Sequence, residues 1–278
     1  KNAQSTAIVY VTSPDDFQYP LFSSIRSLLH SGTTFDKLII KCIGKKPPNW
    51  QFFDPRFEVE EVPPLPDASF VTNKVRAVEC SYDRVIFIDA DTIVCNSIDS
   101  IYKSCNADFI ARPDQKYISN TVGWDNYCKE IEVNNVKYYN SGFFIAQNRT
   151  AHEISKHWLS MINQTSISGF AMKYHGRSAV SEQMGLSLAV SAAGLTTADM
   201  SDKHHRYVWQ DKEWRSKIDD SIVLHYSGGP RIRYQLETEA RMGLAFKPYP
   251  CKNPLFSRMR FRRVVDTTYG MVAALCMK

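Results

Sequence analysis

Several features of the common protein classes are missing from this chain. It has no run of about 18 apolar residues, the length that a helix needs to cross a lipid bilayer. Its 7 cysteines include no Cys-x-x-Cys pair, so no structural zinc site is predicted. It contains neither a Gly-x-Gly-x-x-Gly nor a Walker A pattern, which leaves dehydrogenases and P-loop NTPases without support. The net charge of +5 suits small anionic ligands and does not predict nucleic acid as a partner.

The cysteines also bear on the compartment of the protein. Their odd number and scattered spacing predict free thiols in a reducing environment, so we expect a cytoplasmic protein. Two triplets, Asn148-Arg149-Thr150 and Asn163-Gln164-Thr165, fit the N-glycosylation sequon and would suit a secretory lumen instead. Such triplets also arise by chance, and the lumen is therefore kept as the alternative.

The pattern of apolar residues predicts an α/β protein. Short β-branched runs predict strands over residues 7–12, 37–43, 57–62, 84–89, 141–147 and 222–226. Helices are predicted over 20–32, 67–80, 150–162 and 180–193, with Thr150 and Glu153 forming a capping box. The polar segment 113–135 is predicted to be a loop over the site. The initial order β-α-β-β-α-β is typical of a mainly parallel, doubly wound sheet, whose ligands bind beyond the carboxyl ends of the strands.

Two acids at the end of a predicted strand give the strongest chemical signal. Asp89 and Asp91 follow the apolar run Val85-Ile86-Phe87-Ile88. Because side chains alternate along a strand, both carboxylates project the same way if the chain stays extended. Neighbouring carboxylates repel each other unless a cation lies between them, and oxygen ligands suit Mg²⁺ or Mn²⁺ bridged to a diphosphate. The sequence therefore predicts a divalent-metal site, with two solvated loop acids as the alternative.

A histidine near the end of the chain gives a second signal. His225 follows a short predicted strand and precedes Gly228 and Gly229, which would let the backbone approach a ligand closely. A neutral imidazole can complete an oxygen-rich manganese site, and Arg231 can hold a phosphate as a charged donor. Taken alone, His225 is more typical of a core histidine.

Three further polar residues stand at the ends of predicted elements. Asn140 precedes a buried strand and could hydrogen-bond sugar hydroxyls, although it fits a turn equally well. Glu182 and Gln183 stand at a helix start, where the helix dipole by itself favours an acid. Their functional interpretation therefore depends on the other segments.

Taken together, the segments resemble glycosyltransferase family 8, the group of glycogenin and the bacterial lipopolysaccharide galactosyltransferases. The resemblance extends over roughly residues 5–235. The positions that carry it are Thr12, Lys74, Asp89-Ala90-Asp91, Asn140-Ser141-Gly142, Glu182-Gln183 and His225-Tyr226-Ser227-Gly228-Gly229-Pro230-Arg231. It implies a single GT-A-type, Rossmann-like domain and transfer of a hexose, with retention of configuration, from a nucleotide-diphosphate sugar, with UDP as the expected nucleotide.

The resemblance also implies roles for individual residues. Asp89, Asp91 and His225 would hold Mn²⁺ or Mg²⁺, and Glu182 and Gln183 would be the catalytic pair. The donor would be bound by Thr12, Lys74, Asp114, Asn140, Gly228 and Arg231. Two positions depart from the family pattern: Glu182 stands where Asp is usual, and Arg231 stands where Lys is usual, which changes the hydrogen-bond pattern.

The expected organisation is one catalytic domain over residues 1–235 and a basic extension over 236–278. Within the extension, residues 257–265 contain four arginines among apolar residues, and we call them the C-terminal basic segment. We expect this segment to pack on the domain, with peripheral contact to an anionic membrane as the alternative. The acceptor would be a glycan, a protein or a lipid-linked carbohydrate, and no nucleic acid is expected.

Two other functions are left open by the motifs. The segment Ile88-Asp89-Ala90-Asp91-Thr92 also fits the first motif of haloacid-dehalogenase-type phosphatases, with Asp89 as the phosphoryl acceptor. That motif usually lies near the start of a domain, whereas three predicted strands precede it in this chain. A non-catalytic module that binds nucleotide sugars would keep the fold without the activity, and the intact trio of Asp89, Asp91 and His225 argues against it.

Overall fold

Seven strands form the central sheet of the computed structural model. The structure describes residues 4–13, 18–47, 50–65, 70–114, 121–133, 136–163, 169, 181–208, 211–227, 231–244 and 251–252. In spatial order the strands are β4 (Phe57–Val62), β2 (Lys37–Ile43), β1 (Thr6–Thr12), β5 (Arg84–Ile88), β8 (Tyr139–Ala146), β7 (Phe109–Pro113) and β9 (Thr197–Asp199). All neighbours pair in parallel except that β8 runs antiparallel to β5 and to β7.

Two smaller sheets complete the strand inventory of the described chain. One consists of β10 (His205–Tyr207), β11 (Val223–His225) and β6 (Thr92–Val94), with β11 in the middle. In it, β11 runs parallel to β10 and antiparallel to β6. The other pairs β3 (Gln51–Phe52) with β12 (Cys251–Lys252). Because β6 follows β5 after a short turn, the three-stranded sheet begins at the carboxyl end of β5.

Helices cover both faces of the central sheet. They are α1 (Gln18–His30), α2 (Asp99–Lys103), α3 (Thr121–Glu130), α4 (Ala151–Ile162), α5 (Ser181–Ala192) and α6 (Arg231–Arg241), with 3₁₀ helices at Phe70–Val78 and Trp214–Lys217. Alternate residues of β1 enter different cores: Ile8 and Tyr10 pack with α1, whereas Val9 packs with α4 and α5. A strand buried on both faces is typical of a parallel sheet between helix layers, and the predicted α/β class is confirmed.

The predicted strands and most predicted helices are confirmed across the chain, strand β7 was not predicted, and three other predictions are corrected. The predicted helix over 67–80 is the 3₁₀ helix Phe70–Val78. The capping box is wrong, because the Thr150 hydroxyl donates to the carbonyl of Gln147 at 2.7 Å and makes no cap hydrogen bond. The segment 113–135 is not a loop throughout, since it contains α3. Trp124 of α3 is buried and donates through Nε1 to the carbonyl of Val136.

Helix α6 is anchored to the N-terminal half of the chain by buried polar contacts. Arg26 of α1 and Glu239 of α6 form an ion pair whose side chains are almost fully buried, and Tyr19 donates to Glu239 at 2.9 Å. Gln235 donates through Nε2 to the carbonyl oxygens of Ala90 at 3.4 Å and Thr92 at 3.1 Å. Thus α6 crosses the predicted boundary at residue 235 and also supports the turn between β5 and β6.

The C-terminal basic segment lies outside the described residues, so its role stays a prediction. The division into a catalytic domain and an extension at residue 235 falls within α6 and also stays a prediction. Among the residues that are described, no helix combines the length and apolar character needed to span a bilayer.

Candidate active site and metal centre

Asp89 and Asp91 lie in the tight turn that joins β5 to β6. The backbone N–H of Asp89 donates to the carbonyl of Gly142 at 2.8 Å, which ends the β5–β8 ladder. The hydroxyl of Thr92 then donates back to the carbonyl of Asp89 at 2.9 Å. The chain is therefore not extended through the motif. A turn brings the two carboxylates together, in place of the side-chain alternation used to predict their proximity.

Strand pairing places His225 beside the two acids. In the antiparallel β6–β11 ladder His225 lies opposite Thr92, and the next N–H, that of Tyr226, donates to the carbonyl of Asp91. The Nε2 atom of His225 lies 3.3 Å from Oδ1 of Asp91 and 3.7 Å from Oδ2 of Asp89. One ligand atom from each of the three residues lies within 4.8 Å of the others. Two carboxylate oxygens and one imidazole nitrogen suit Mn²⁺, so this trio could hold a divalent cation.

Gly142 of β8 makes room for this arrangement. A Cβ atom at position 142 would lie 2.3 Å from Cε1 of His225 and 2.9 Å from Oδ2 of Asp89. Both distances are far below van der Waals contact, so only glycine permits the observed approach of ring and carboxylate. The motif Asn140-Ser141-Gly142 drew attention to the asparagine, but a glycine inside a buried strand was itself a signal of close approach.

Lys74 brings a positive charge to the same place from the 3₁₀ helix Phe70–Val78. Its ammonium donates to Oδ2 of Asp89 at 2.7 Å and lies 4.0 Å from Oε1 of Glu182. Burial opposes the charged form of Lys74, but the carboxylates of Asp89 and Glu182 outweigh it and raise the lysine pKa.

Burial has the opposite effect on the acids. It raises the pKa of Asp89, and the charge of Asp91 acts in the same direction. Burial likewise raises the pKa of Glu182. The site therefore concentrates negative charge where little water is present, an environment that favours a cation.

A buried amide network lies next to the charged residues. Asn140 donates through Nδ2 to Oε1 of Gln183 at 2.6 Å and to Oδ2 of Asp114 at 3.3 Å. The N–H of Ser141 also donates to Oε1 of Gln183 at 3.2 Å, so both lone pairs of that oxygen are engaged. Nε2 of Gln183 donates to the hydroxyl of Tyr138. Gln183 therefore joins β8 to the start of α5.

The carboxylate of Glu182 is only half satisfied. Its Oε1 atom accepts a hydrogen bond from the Ser141 hydroxyl at 3.2 Å. Its Oε2 atom is buried and has no hydrogen-bond partner in the described part of the chain. A buried acceptor without a donor is costly, and a ligand hydroxyl would satisfy it. Of the predicted catalytic pair, Glu182 thus has a side-chain oxygen available to a ligand, whereas the oxygen of Gln183 is engaged.

The remaining predicted donor-binding residues have no described direct contact with Asp89, Asp91 or His225. Thr12 is fully buried at the carboxyl end of β1, where its hydroxyl donates to the carbonyl of Ser13. Asp114 follows β7 and joins the site through Asn140. Gly228 lies outside the described residues, and Arg231 begins α6 with a side chain that is also outside them.

A second histidine, which the sequence analysis missed, supports the first. His205 of β10 is fully buried, and its Nε2 atom lies 3.1 Å from Nδ1 of His225. Burial and the neighbouring His225 lower the pKa of His205 well below its usual range. The signal was absent from the sequence because β10 has only three residues and its pairing with β11 joins distant segments.

Comparison with known proteins places the fold. No protein-family model matches the sequence, and no curated protein matches it either. One similar structure is a crystal structure of the galactosyltransferase LgtC with donor and acceptor sugar analogues. The match spans 84% of this chain and 95% of the LgtC chain, with a TM-score of 0.55 and 13% identity.

Two further solved structures are similar. The match to the bifunctional glycosyltransferase WbbM spans 85% of this chain and 50% of the WbbM chain, with a TM-score of 0.54 and 11% identity. The match to the glycosyltransferase GlyE of Streptococcus pneumoniae TIGR4 spans 90% of this chain and 66% of the GlyE chain, with a TM-score of 0.53 and 12% identity. At such identities the similarity concerns the fold, which is the GT-A-like fold of these glycosyltransferases.

Proposed function

We propose that this chain is a divalent-metal-dependent glycosyltransferase. The observation that carries the proposal is the convergence of Asp89, Asp91 and His225 at the carboxyl end of β5. In an open α/β sheet this is the edge at which ligands bind. The fold is similar to that of solved glycosyltransferases, which favours a nucleotide-sugar donor and a carbohydrate acceptor.

The finer features of the proposal rest on the resemblance of the motifs to glycosyltransferase family 8. They are a hexose as the transferred group, UDP as the nucleotide, Mn²⁺ as the metal and retention of the anomeric configuration. The acceptor is proposed to be a glycan, a protein or a lipid-linked carbohydrate. The cytoplasmic location remains a prediction from the cysteine pattern.

In the proposed reaction, the bond between the anomeric carbon and the β-phosphate oxygen of the donor breaks, an acceptor hydroxyl oxygen bonds to that carbon, and the hydroxyl proton leaves with the nucleoside diphosphate or to solvent. Negative charge develops on the β-phosphate oxygen as its bond breaks. A divalent cation held by Asp89, Asp91 and His225 would neutralise this charge. The raised pKa of Lys74 keeps its ammonium charged near neutral pH. It would donate a hydrogen bond to the nucleotide sugar from the same side as the cation. Stabilisation that grows as the charge develops lowers the barrier to transfer.

The amide network next to the metal trio would act on the sugar. Positive charge develops on the anomeric carbon as the bond breaks, and a nearby carboxylate stabilises it. Glu182 suits this role because its Oε2 atom is unengaged among the described residues, and Lys74 at 4.0 Å favours its ionised form. Gln183 would hold Asn140 in place, with Asp114, to bind sugar hydroxyls.

The structure bears on the two alternative functions. A phosphatase would use Asp89 as a nucleophile, and the contact of its Oδ2 atom with Lys74 at 2.7 Å is compatible with that role as well as with metal binding. The fold similarity, which is to glycosyltransferases, favours transfer. A non-catalytic binding module keeps the same contacts, so a turnover assay is needed to distinguish it.

The first experiment is a thermal-shift panel of UDP-, GDP- and CDP-sugars with Mn²⁺ or with EDTA. A ligand at about 100 times its Kd adds about 2.7 kcal/mol to the free energy of unfolding. For a chain of this size we expect the matching donor to raise Tm by about 5 °C or more, with Mn²⁺ only. Hydrolysis of that donor is then measured as the release of its nucleotide.

Two variants control the experiment. Asp91→Asn should abolish metal-dependent hydrolysis while folding is retained, because it removes one charged ligand. Asp54→Asn, at a carboxylate that Arg56 holds away from the site, should behave as the wild type. Full hydrolysis in EDTA, or equal activity of both variants, would contradict the proposed metal dependence. Tight donor binding without any turnover would support the non-catalytic module.

A further inference from the structure

We propose that His205 is a positioning residue that fixes the tautomer and the orientation of His225, so that the Nε2 lone pair of His225 faces the cation. The inference rests on the proposed metal site and adds a residue to it that the motifs do not contain.

The geometry ties the two histidines together firmly. Their rings lie 13° from parallel with centroids 5.3 Å apart, and Nε2 of His205 lies 3.1 Å from Nδ1 of His225. The parallel β10–β11 ladder fixes the two backbones, with Tyr207 opposite His225. Phe143 contacts the edge of the His205 ring, with 5.5 Å between centroids. His205 is fully buried, so its ring has little freedom to turn away.

The contact admits two arrangements of protons. In the first, Nδ1 of His225 carries hydrogen and donates to Nε2 of His205, which leaves Nε2 of His225 with a lone pair. In the second, Nε2 of His205 donates to Nδ1 of His225, so Nε2 of His225 carries hydrogen and points at Asp91. A metal ion can be bound only in the first arrangement, because a protonated nitrogen has no lone pair to offer.

The first arrangement has a consequence on the far side of His205. Its remaining hydrogen then lies on Nδ1, an atom that is buried and has no hydrogen-bond partner within the described chain. In the second arrangement that atom carries only a lone pair, and the hydrogen on His225 meets a carboxylate. The two arrangements contain the same number of protons, because each imidazole gives up one N–H and gains the other. Cation binding therefore requires the first arrangement of protons in both rings.

The test measures Mn²⁺ binding by calorimetry, with Mn²⁺ alone as the probe. His205→Phe removes the acceptor and should weaken Mn²⁺ binding about 10–100-fold, as expected when a group that orients a ligand is lost. His205→Gln places an amide oxygen near the position of Nε2 and should recover most of the affinity. His204→Gln, at the neighbouring and only partly buried histidine, is the matched control and should bind as the wild type.

Nitrogen NMR of histidine-labelled wild-type protein provides a second measurement that needs no variant to fold. With diamagnetic Mg²⁺ bound, both His225 and His205 should carry their N–H at Nδ1. If Mn²⁺ binds the wild type and His205→Phe equally, or if either ring carries its N–H at Nε2 when Mg²⁺ is bound, the role of His205 is overturned. If the wild type binds neither ion, the proposed metal site itself fails.

Discussion

The close approach of Gly142 to the metal trio makes Gly142→Ala a sharp test of the site. The added methyl carbon would lie 2.3 Å from Cε1 of His225, whereas carbon atoms in contact are separated by about 3.5–4.0 Å. The imidazole must therefore recede by about 1.2 Å or more. Metal–ligand distances vary by only about 0.2 Å, so a shift of this size removes His225 from the coordination shell.

The expected magnitude follows from that displacement. Losing a group that only orients a ligand weakens metal binding about 10–100-fold. Displacing the ligand itself should reach the upper end, about 100-fold in the Kd for Mn²⁺, or about 2.7 kcal/mol. Overpacking should also lower the free energy of unfolding by about 1–3 kcal/mol. Calorimetry with Mn²⁺ and urea denaturation measure the two effects separately.

A second glycine provides the matched control. At Gly185 of α5 a methyl group would lie 2.7 Å from Cγ1 of Ile162 and 3.1 Å from Trp158, in the α4–α5 interface. Gly185→Ala should therefore lower stability but leave the Kd for Mn²⁺ within about threefold of the wild type. In the double variant Gly142→Ala, His225→Ala, the clash with the ring is gone and the 2.9 Å approach to Oδ2 of Asp89 remains, so the stability cost of the alanine should shrink without vanishing. A folded Gly142→Ala protein with wild-type Mn²⁺ affinity would refute the reasoning.

Three further predictions concern the scaffold. Glu239→Gln removes the negative charge that faces the buried guanidinium of Arg26 and should cost about 3–5 kcal/mol in urea denaturation; a loss below about 1 kcal/mol would contradict this. Although burial opposes ionisation of Asp99, hydrogen bonds, first from Lys103, lower its pKa to about 2, below its value of about 4 in the unfolded chain. Asp99 should thus stabilise the fold above pH 4 by about 1–2 kcal/mol after allowance for solvent screening, with the benefit lost as the pH falls from 4 to 2; Asp99→Asn should show no such step. Finally, if the C-terminal basic segment packs on the domain, neither the full chain nor one ending at residue 253 should float with anionic vesicles at physiological salt, and flotation of the full chain alone would establish membrane contact.

Periodicity predicted the fold where elements are long enough to show it. Strands of five or more residues, such as Lys37–Ile43, alternate or stay apolar over a recognisable length. Strands β6 and β10 have three residues each, too few to reveal a period, and were not predicted. The five-residue strand β7, Phe109–Pro113, was also missed. The capping box failed because the Thr150 hydroxyl found a carbonyl three residues earlier, a local competitor that the four-residue pattern does not describe.

The site was predictable by residue type but not by geometry. The two acids could be predicted as site residues because Asp89 and Asp91 directly follow an apolar strand. His225 was a candidate metal ligand from its strand and the following glycines, but nothing local to its segment predicts that β11 pairs with β6 and so places it beside the acids. Gly142 and His205 act through distances between segments far apart in the chain. Such tertiary contacts leave no periodic trace in one sequence.

The anchoring of α6 has a consequence for folding of the chain during its synthesis on the ribosome. Every proposed metal ligand has been synthesised once His225 has emerged, but the two carbonyls of the acid turn still lack their donor, Gln235. That donor arrives only when Arg231–Arg241 folds against α1 and buries Glu239 beside Arg26. Chains fold largely from the N-terminus during synthesis, so the turn is assembled early and locked late. In a nascent chain the turn that carries Asp89 and Asp91 thus gains its last supporting hydrogen bonds only after α6 has docked.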